Sequence, residues 1–235
     1  MIKNNKKEVL QMKKNKIIIS VIINICIAIT TLIMIILGYA GIKFTSGCES
    51  YEATGMPIFK FFTVQSNMLM GIVALIFAIK EIQLLKGKIT QIPIQHYIAK
   101  MAATTAVGLT FLVVFAYLGP VSKGGLLALL QNSNLFLHLI IPVVSILTFI
   151  LFERTSIIKR KHTIYGLVPT VLYAIYYVIN LSFHIENGKV SPVYDWYKFV
   201  QNGIWTVIIV LPMMLLVTYI ITLIIWKINN IKIKS

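Results

Sequence analysis

The sequence predicts an all-α membrane protein, a bundle of six transmembrane helices, and three observations lead there. The 235 residues are 58% hydrophobic and only 12% charged, whereas a soluble domain carries about 25% charged residues. Six apolar runs, at 17–40, 59–79, 97–118, 126–152, 164–183 and 203–226, each approach or exceed the roughly 20 residues that cross a bilayer as a helix. The cations also alternate along the chain. The N-terminal tail holds 6 Lys or Arg, the 80–100 connection 4, the 153–163 connection 4 and the C-terminal tail 3. The alternate connections hold 5: Lys43, Lys60, Lys123, Lys189 and Lys198. Short loops rich in Lys and Arg remain on the cytoplasmic side. Both termini are therefore expected in the cytoplasm and the protein in the cell membrane.

One domain, 17–226, is expected between two basic tails, 1–16 and 227–235. The net charge of +15 does not mark a nucleic-acid-binding protein, because its distribution follows membrane topology. Basic clusters beside a bilayer find their partners in anionic lipid headgroups. No cofactor is expected, and the oligomeric state is left open. Cys26 falls inside the first run and Cys48 in the connection after it, too far apart to bridge. Cys48 follows Thr-Ser-Gly as in a lipoprotein cleavage site, but the run before it is too long and too distant, so the first helix is expected to be retained.

In chain order, residues 1–16 are rich in Lys and Asn and are expected to be disordered or to lie on the headgroups. Helix one is Ile-rich, with Asn24 and Thr30–Thr31 as its only strongly polar positions. A connection carrying Glu49 and Glu52 leads to Pro57, which suits the first turn of helix two. Helix two opens Ile-Phe-Lys-Phe-Phe-Thr-Val-Gln-Ser-Asn and then turns plainly apolar. Gly87 and Pro93 break the following connection. Helix three contains Thr104, Thr105 and Gly108, small residues that let membrane helices approach, and is expected to end at Gly119–Pro120. Helix four is read as continuous up to Glu153–Arg154. Helix five is rich in tyrosine, and the connection after it carries an interfacial belt of Tyr194, Trp196 and Tyr197. Pro212 is expected to kink helix six or open it locally.

Helix four holds the chemistry. At 100° per residue, Gln131, Asn134, His138, Pro142 and Ser145 fall within roughly 60° of arc. An ionisable side chain within a bilayer is expensive and marks a functional site by default. Proline lacks an amide hydrogen, so the carbonyl four residues earlier, that of His138, loses its helical partner. On helix two, Thr63, Ser66 and Asn67 share a face through i+3 and i+4 spacing. Counted from Lys80 and Glu153 at 1.5 Å per residue, Thr63 lies roughly 26 Å up and His138 roughly 22 Å. Two parallel helices thus carry polar patches at matched depth in the outer half of the membrane. A threonine hydroxyl becomes a nucleophile when a base removes its proton, and neutral histidine is such a base. Attack on an ester also needs donors for the developing oxyanion; Gln131, Asn67 and Asn134 are candidates among which the sequence does not choose. The bland alternatives are a threonine bonded to its own backbone and amides that only hold helices together.

Phe-Lys-Phe-Phe-Thr-Val-Gln-Ser-Asn in helix two, His-Leu-Ile-Ile-Pro in helix four and the late Tyr-Asp-Trp-Tyr-Lys-Phe together resemble a known family. It comprises the bacterial six-helix integral membrane proteins called Pr-six-Pr, similar in turn to the eukaryotic androgen-induced and androgen-dependent TFPI-regulating proteins. The resemblance spans nearly the whole chain in helix count and motif order. It implies hydrolysis of fatty acid esters of hydroxy fatty acids, with Thr63 as nucleophile and His138 as its histidine partner. Membrane lipids and a lipid ester substrate are the partners this implies. Two other classes compete. In a transporter or lipid-binding protein the same patch is a ligand site and Pro142 and Pro212 are hinges. A metal site would need His138, His184 and Asp195 or Glu186 to converge.

Overall fold

The computed structural model describes residues 2–45, 53–122, 124–155, 157–186, 189–191, 193–197, 199–200 and 203–231. Cys48, Glu49, Glu52, Lys123 and Lys198 lie outside them. Six helices are long and apolar enough to cross a membrane: Lys14–Tyr39, Phe62–Leu85, Ile94–Leu118, Ser133–Leu151, Arg160–Phe183 and Trp205–Asn229. They are called the first to sixth spans below. The third is central, with 61% of its apolar window buried against 17% for the sixth, and it packs against the second, fourth, fifth and sixth.

The packing is inverted relative to a soluble bundle. Large apolar side chains such as Ile22, Leu32, Leu172 and Ile209 face outward, while Asn24, Thr31, Asn67, Thr104, Ser145 and Thr222 are buried. Between apolar tails there is no hydrophobic drive for burial, so helices associate through close packing and polar contacts. Gly166 shows how close the approach is: a methyl group there would lie 2.3 Å from the Thr222 hydroxyl. Together with the six spans, this inversion marks an integral membrane protein.

Five elements show features beyond the expected α-helices. The first helix runs unbroken over Ile2–Tyr39, so the basic tail is helical; Lys, Gln and Met are good helix formers, and the apolar run propagates the helix. The third span does not stop at Gly119–Pro120. A π-helical turn, Val114–Leu118, precedes one more α-turn, Gly119–Val121. The fourth segment is interrupted. A short helix, Gly125–Leu129, gives way to a turn in which Asn132 has φ 52°, and the span then starts at Ser133. Its Phe136–Ile140 stretch is π-helical and Ile141–Leu151 is α-helical. The fifth span begins as a 3-10 helix, Arg160–Leu167, before Val168–Phe183. The sixth helix passes through Pro212 as one element, Ile204–Asn229.

Both π-turns have one cause. Each ends two residues before a proline, Pro120 or Pro142, whose missing amide hydrogen prevents the ordinary bond four residues back. The residue just before each proline donates five back instead, Gly119 to Val114 and Ile141 to Phe136. Beyond the fifth span, Ile185–Glu186 pairs with Lys189–Val190 as a minimal antiparallel hairpin. The Asp195 carboxylate then accepts the Phe199 and Val200 amides, each at 2.9 Å, and the Tyr177 hydroxyl. That loop is therefore fixed to the fifth span.

Candidate functional site

Thr63 stands in the first turn of the second span, and the surrounding chain holds that turn from three sides. The Phe62 amide donates to the Tyr197 hydroxyl at 3.1 Å. The Tyr173 hydroxyl donates to the Lys60 carbonyl at 2.6 Å and receives Trp196 Nε1 at 3.1 Å. Lys60 Nζ reaches the Val193 carbonyl at 3.3 Å and lies 5.4 Å from the Trp196 ring centre. The aromatic belt of the late loop is thus a clamp on the start of the second span. Rings of Tyr173, Tyr177, Trp196, Tyr197 and Phe199 stack edge to face around it, an arrangement favoured by the aromatic quadrupole.

Asn67 ties the same turn to the fourth span. Its Nδ2 donates to the Thr63 carbonyl at 2.7 Å and to the Leu137 carbonyl at 3.0 Å. Ser66 Oγ donates to the Thr63 carbonyl at 3.1 Å and lies 3.0 Å from Thr110 Oγ1 of the third span. Ser66 and Asn67 are buried and Thr63 half-buried. Second and fourth spans therefore meet at the level of Asn67 and Leu137, one residue before His138.

His138 is buried and sits inside the π-turn, so histidine and helix defect do share a turn. Its Nδ1 lies 3.0 Å from the Leu129 carbonyl, in the short helix before the interruption. A carbonyl only accepts, so Nδ1 carries the ring hydrogen and Nε2 is the ring's lone-pair nitrogen. Among the described residues no hydrogen bond joins Thr63 Oγ1 to His138.

The single polar stripe on helix four is not realised. Gln131 lies in the turn before the span, where its Oε1 is 3.5 Å from Thr45 Oγ1. Asn134 is half-buried in the Ser133–Leu135 turn, and its backbone N–H donates to the Gln131 backbone carbonyl at 3.0 Å. A continuous α-helix was the premise of the stripe, and the Asn132 turn and the π-turn both change the rotation per residue. A cleft of about 220 Å³ lies between the second and fifth spans, lined by Phe62, Gln65, Ser66, Leu69, Leu172 and Tyr173 among others. His184 stacks on Tyr194 and faces the Asn180 carbonyl at 2.7 Å. Among the described residues no three His, Cys, Asp or Glu gather as a metal site requires.

A second polar centre escaped the sequence reading. Lys100, Glu153 and Glu81 are buried at the other end of the bundle together with Ser20 and Asn24. Lys100 Nζ pairs with Glu153 Oε1 at 3.2 Å and donates to Asn24 Oδ1. Asn24 Nδ2 donates to Glu153 Oε1 at 2.7 Å and reaches Glu81 Oε2 at 3.4 Å; Ser20 Oγ donates to Glu153 Oε1 at 3.3 Å. Lys100 thus leaves the connection in which it was counted, reducing that connection to three basic residues, and the charge asymmetry between the two faces survives. The available signal was Asn24, the one amide in the apolar run 17–40.

No family model matches the chain, and no curated protein or solved structure matches it.

Proposed function

We propose that this is a multi-pass protein of the cell membrane with both termini in the cytoplasm, and a hydrolase of lipid (fatty acid) esters of the Pr-six-Pr type. One observation carries the reading: the three motifs that suggest the family meet at one place. The Phe-Lys-Phe-Phe-Thr turn is clamped by Trp196 and Tyr197 of the late loop and strapped by Asn67 to Leu137, beside His138.

In the reaction, Thr63 Oγ1 attacks the acyl carbonyl while His138 Nε2 takes its proton. The proton passes to the departing alkoxide, leaving the acyl group on Thr63. Water, deprotonated by His138, then releases the fatty acid and restores the threonine. The Leu129 carbonyl holds the ring in the tautomer this requires. The cleft beside Ser66 mixes apolar Phe62, Leu69 and Leu172 with polar Gln65, Ser66 and Tyr173, a lining that suits an acyl chain near its ester.

Thr63→Ala and His138→Ala are expected each to abolish turnover of a long-chain ester by purified protein, with unchanged size-exclusion profile and helical content. Normal turnover by either variant would overturn the assignment. Retained binding of the ester by a wild-type protein that never turns it over would instead favour the same cleft as a non-enzymatic lipid or transport site.

A further inference from the structure

We propose that Glu81 and Glu153 together hold one exchangeable proton against Lys100, making the inner end of the bundle a proton-binding site independent of Thr63 and His138. The argument begins with charge. One ammonium faces two carboxylates, and the side chains of Lys100 and Glu153 have no exposure. Unbalanced charge removed from water costs several kcal/mol even after relaxation. One proton brings the cluster to neutrality.

Among the described residues no other cation is bonded to the cluster. The first span contributes Ser20 and Asn24, and the second contributes Glu81 and the Phe77 ring, 5.5 Å from Lys100 Nζ. The third contributes Lys100 and Tyr97, whose ring packs on Phe77 and lies within electrostatic reach of both carboxylates. From the sixth, Asn229 Nδ2 bonds the Glu153 carbonyl at 3.1 Å. Arg154 turns away, its Nε donating to the Ile150 carbonyl at 2.6 Å, and Lys80 donates to Gln83 at 3.3 Å.

Hydrogen bonding gives a second, independent sign. Glu153 Oε1 receives Lys100, Asn24 and Ser20, while Glu153 Oε2 is buried with no partner among the described residues. A carboxylate oxygen in that position is an acceptor waiting for a hydrogen. Glu153 follows the last residue of the fourth helix, Leu151, by only two positions, so the site borders the connection through which a proton can enter.

Infrared spectra of the full-length protein in lipid nanodiscs test this. Exposed carboxyl groups are ionised at neutral pH, so a carboxylic C=O band at neutral pH reports a buried proton. Wild-type protein is expected to show the band and to downshift it in D₂O. Charge balance predicts that Glu81→Gln and Glu153→Gln each remove it, because one ammonium and one carboxylate then remain. Lys100→Met is expected to increase it. Absence of the band in wild type overturns the proposal even if every variant misfolds. So does a band that ignores D₂O or survives either Gln substitution. A band present in choline but lost in sodium would assign the balancing charge to a metal cation and overturn the proton. Ester turnover does not enter this readout, so the two proposals fail separately.

Discussion

Asn67 uses both hydrogens of one carboxamide to hold two backbone carbonyls from different spans. A buried carbonyl left without its donor costs about 1–3 kcal/mol. Asn67→Ala is therefore expected to lower the thermal midpoint of the purified protein measurably. Asn67→Asp is expected to lower it further, since a carboxylate would face two acceptors with no hydrogen to offer; equal midpoints for Asp and Asn would refute the strap. Residues of this kind were legible in the sequence. Thr63, Ser66, Asn67 and His138 stand out because polar letters inside an apolar run have few explanations. Glu81, Lys100 and Glu153 did not stand out, because charges at the edges of apolar runs look like loop residues. Three dimensions changed that reading: the edges of the second, third and fourth runs and Asn24 of the first helix converge on one another.

Whole elements were legible to the extent that composition governs them. All six spans overlap the apolar runs, because any long apolar stretch must satisfy its backbone internally as a helix. Interruptions were less visible. Pro142 announced a defect at His138, but Asn132 carries no comparable letter. Its φ of 52° with ψ −137° is a backbone conformation that favours glycine, and its Oδ1 accepts the Phe44 and Thr45 amides at 2.7 and 2.8 Å. That turn releases the short helix whose last carbonyl, Leu129, meets His138. Two substitutions separate the contributions. Asn132→Gly keeps this backbone conformation and removes the acceptor, whereas Asn132→Ala removes the acceptor and strains the turn by about 1–2 kcal/mol more. The alanine variant is expected to show the lower thermal midpoint; equal or reversed midpoints would refute the backbone strain.

At the scale of the molecule, topology and chemistry are linked. An even number of crossings puts both termini on one side, and positive charge decides which side that is. The tails and the connections at 80–100 and 153–163 retain most of the basic residues after Lys100 is assigned to the interior. In the proposed orientation, Thr63 and the aromatic clamp lie in the outer leaflet and the Lys100–Glu153 pair in the inner one. Single cysteines in a chain with Cys26 and Cys48 replaced by alanine test the orientation directly. Met56 is 69% exposed at the clamp end, and Lys88 is exposed in the connection at the opposite end. In intact cells an impermeant maleimide is expected to label Met56→Cys at once and Lys88→Cys only after permeabilisation. The opposite pattern would turn the molecule over, placing the proposed ester site toward the cytoplasm and the buried ion pair toward the outside. Labelling of both from one side would break the six-crossing arrangement, and the matched depth of Thr63 and His138 would lose its physical basis.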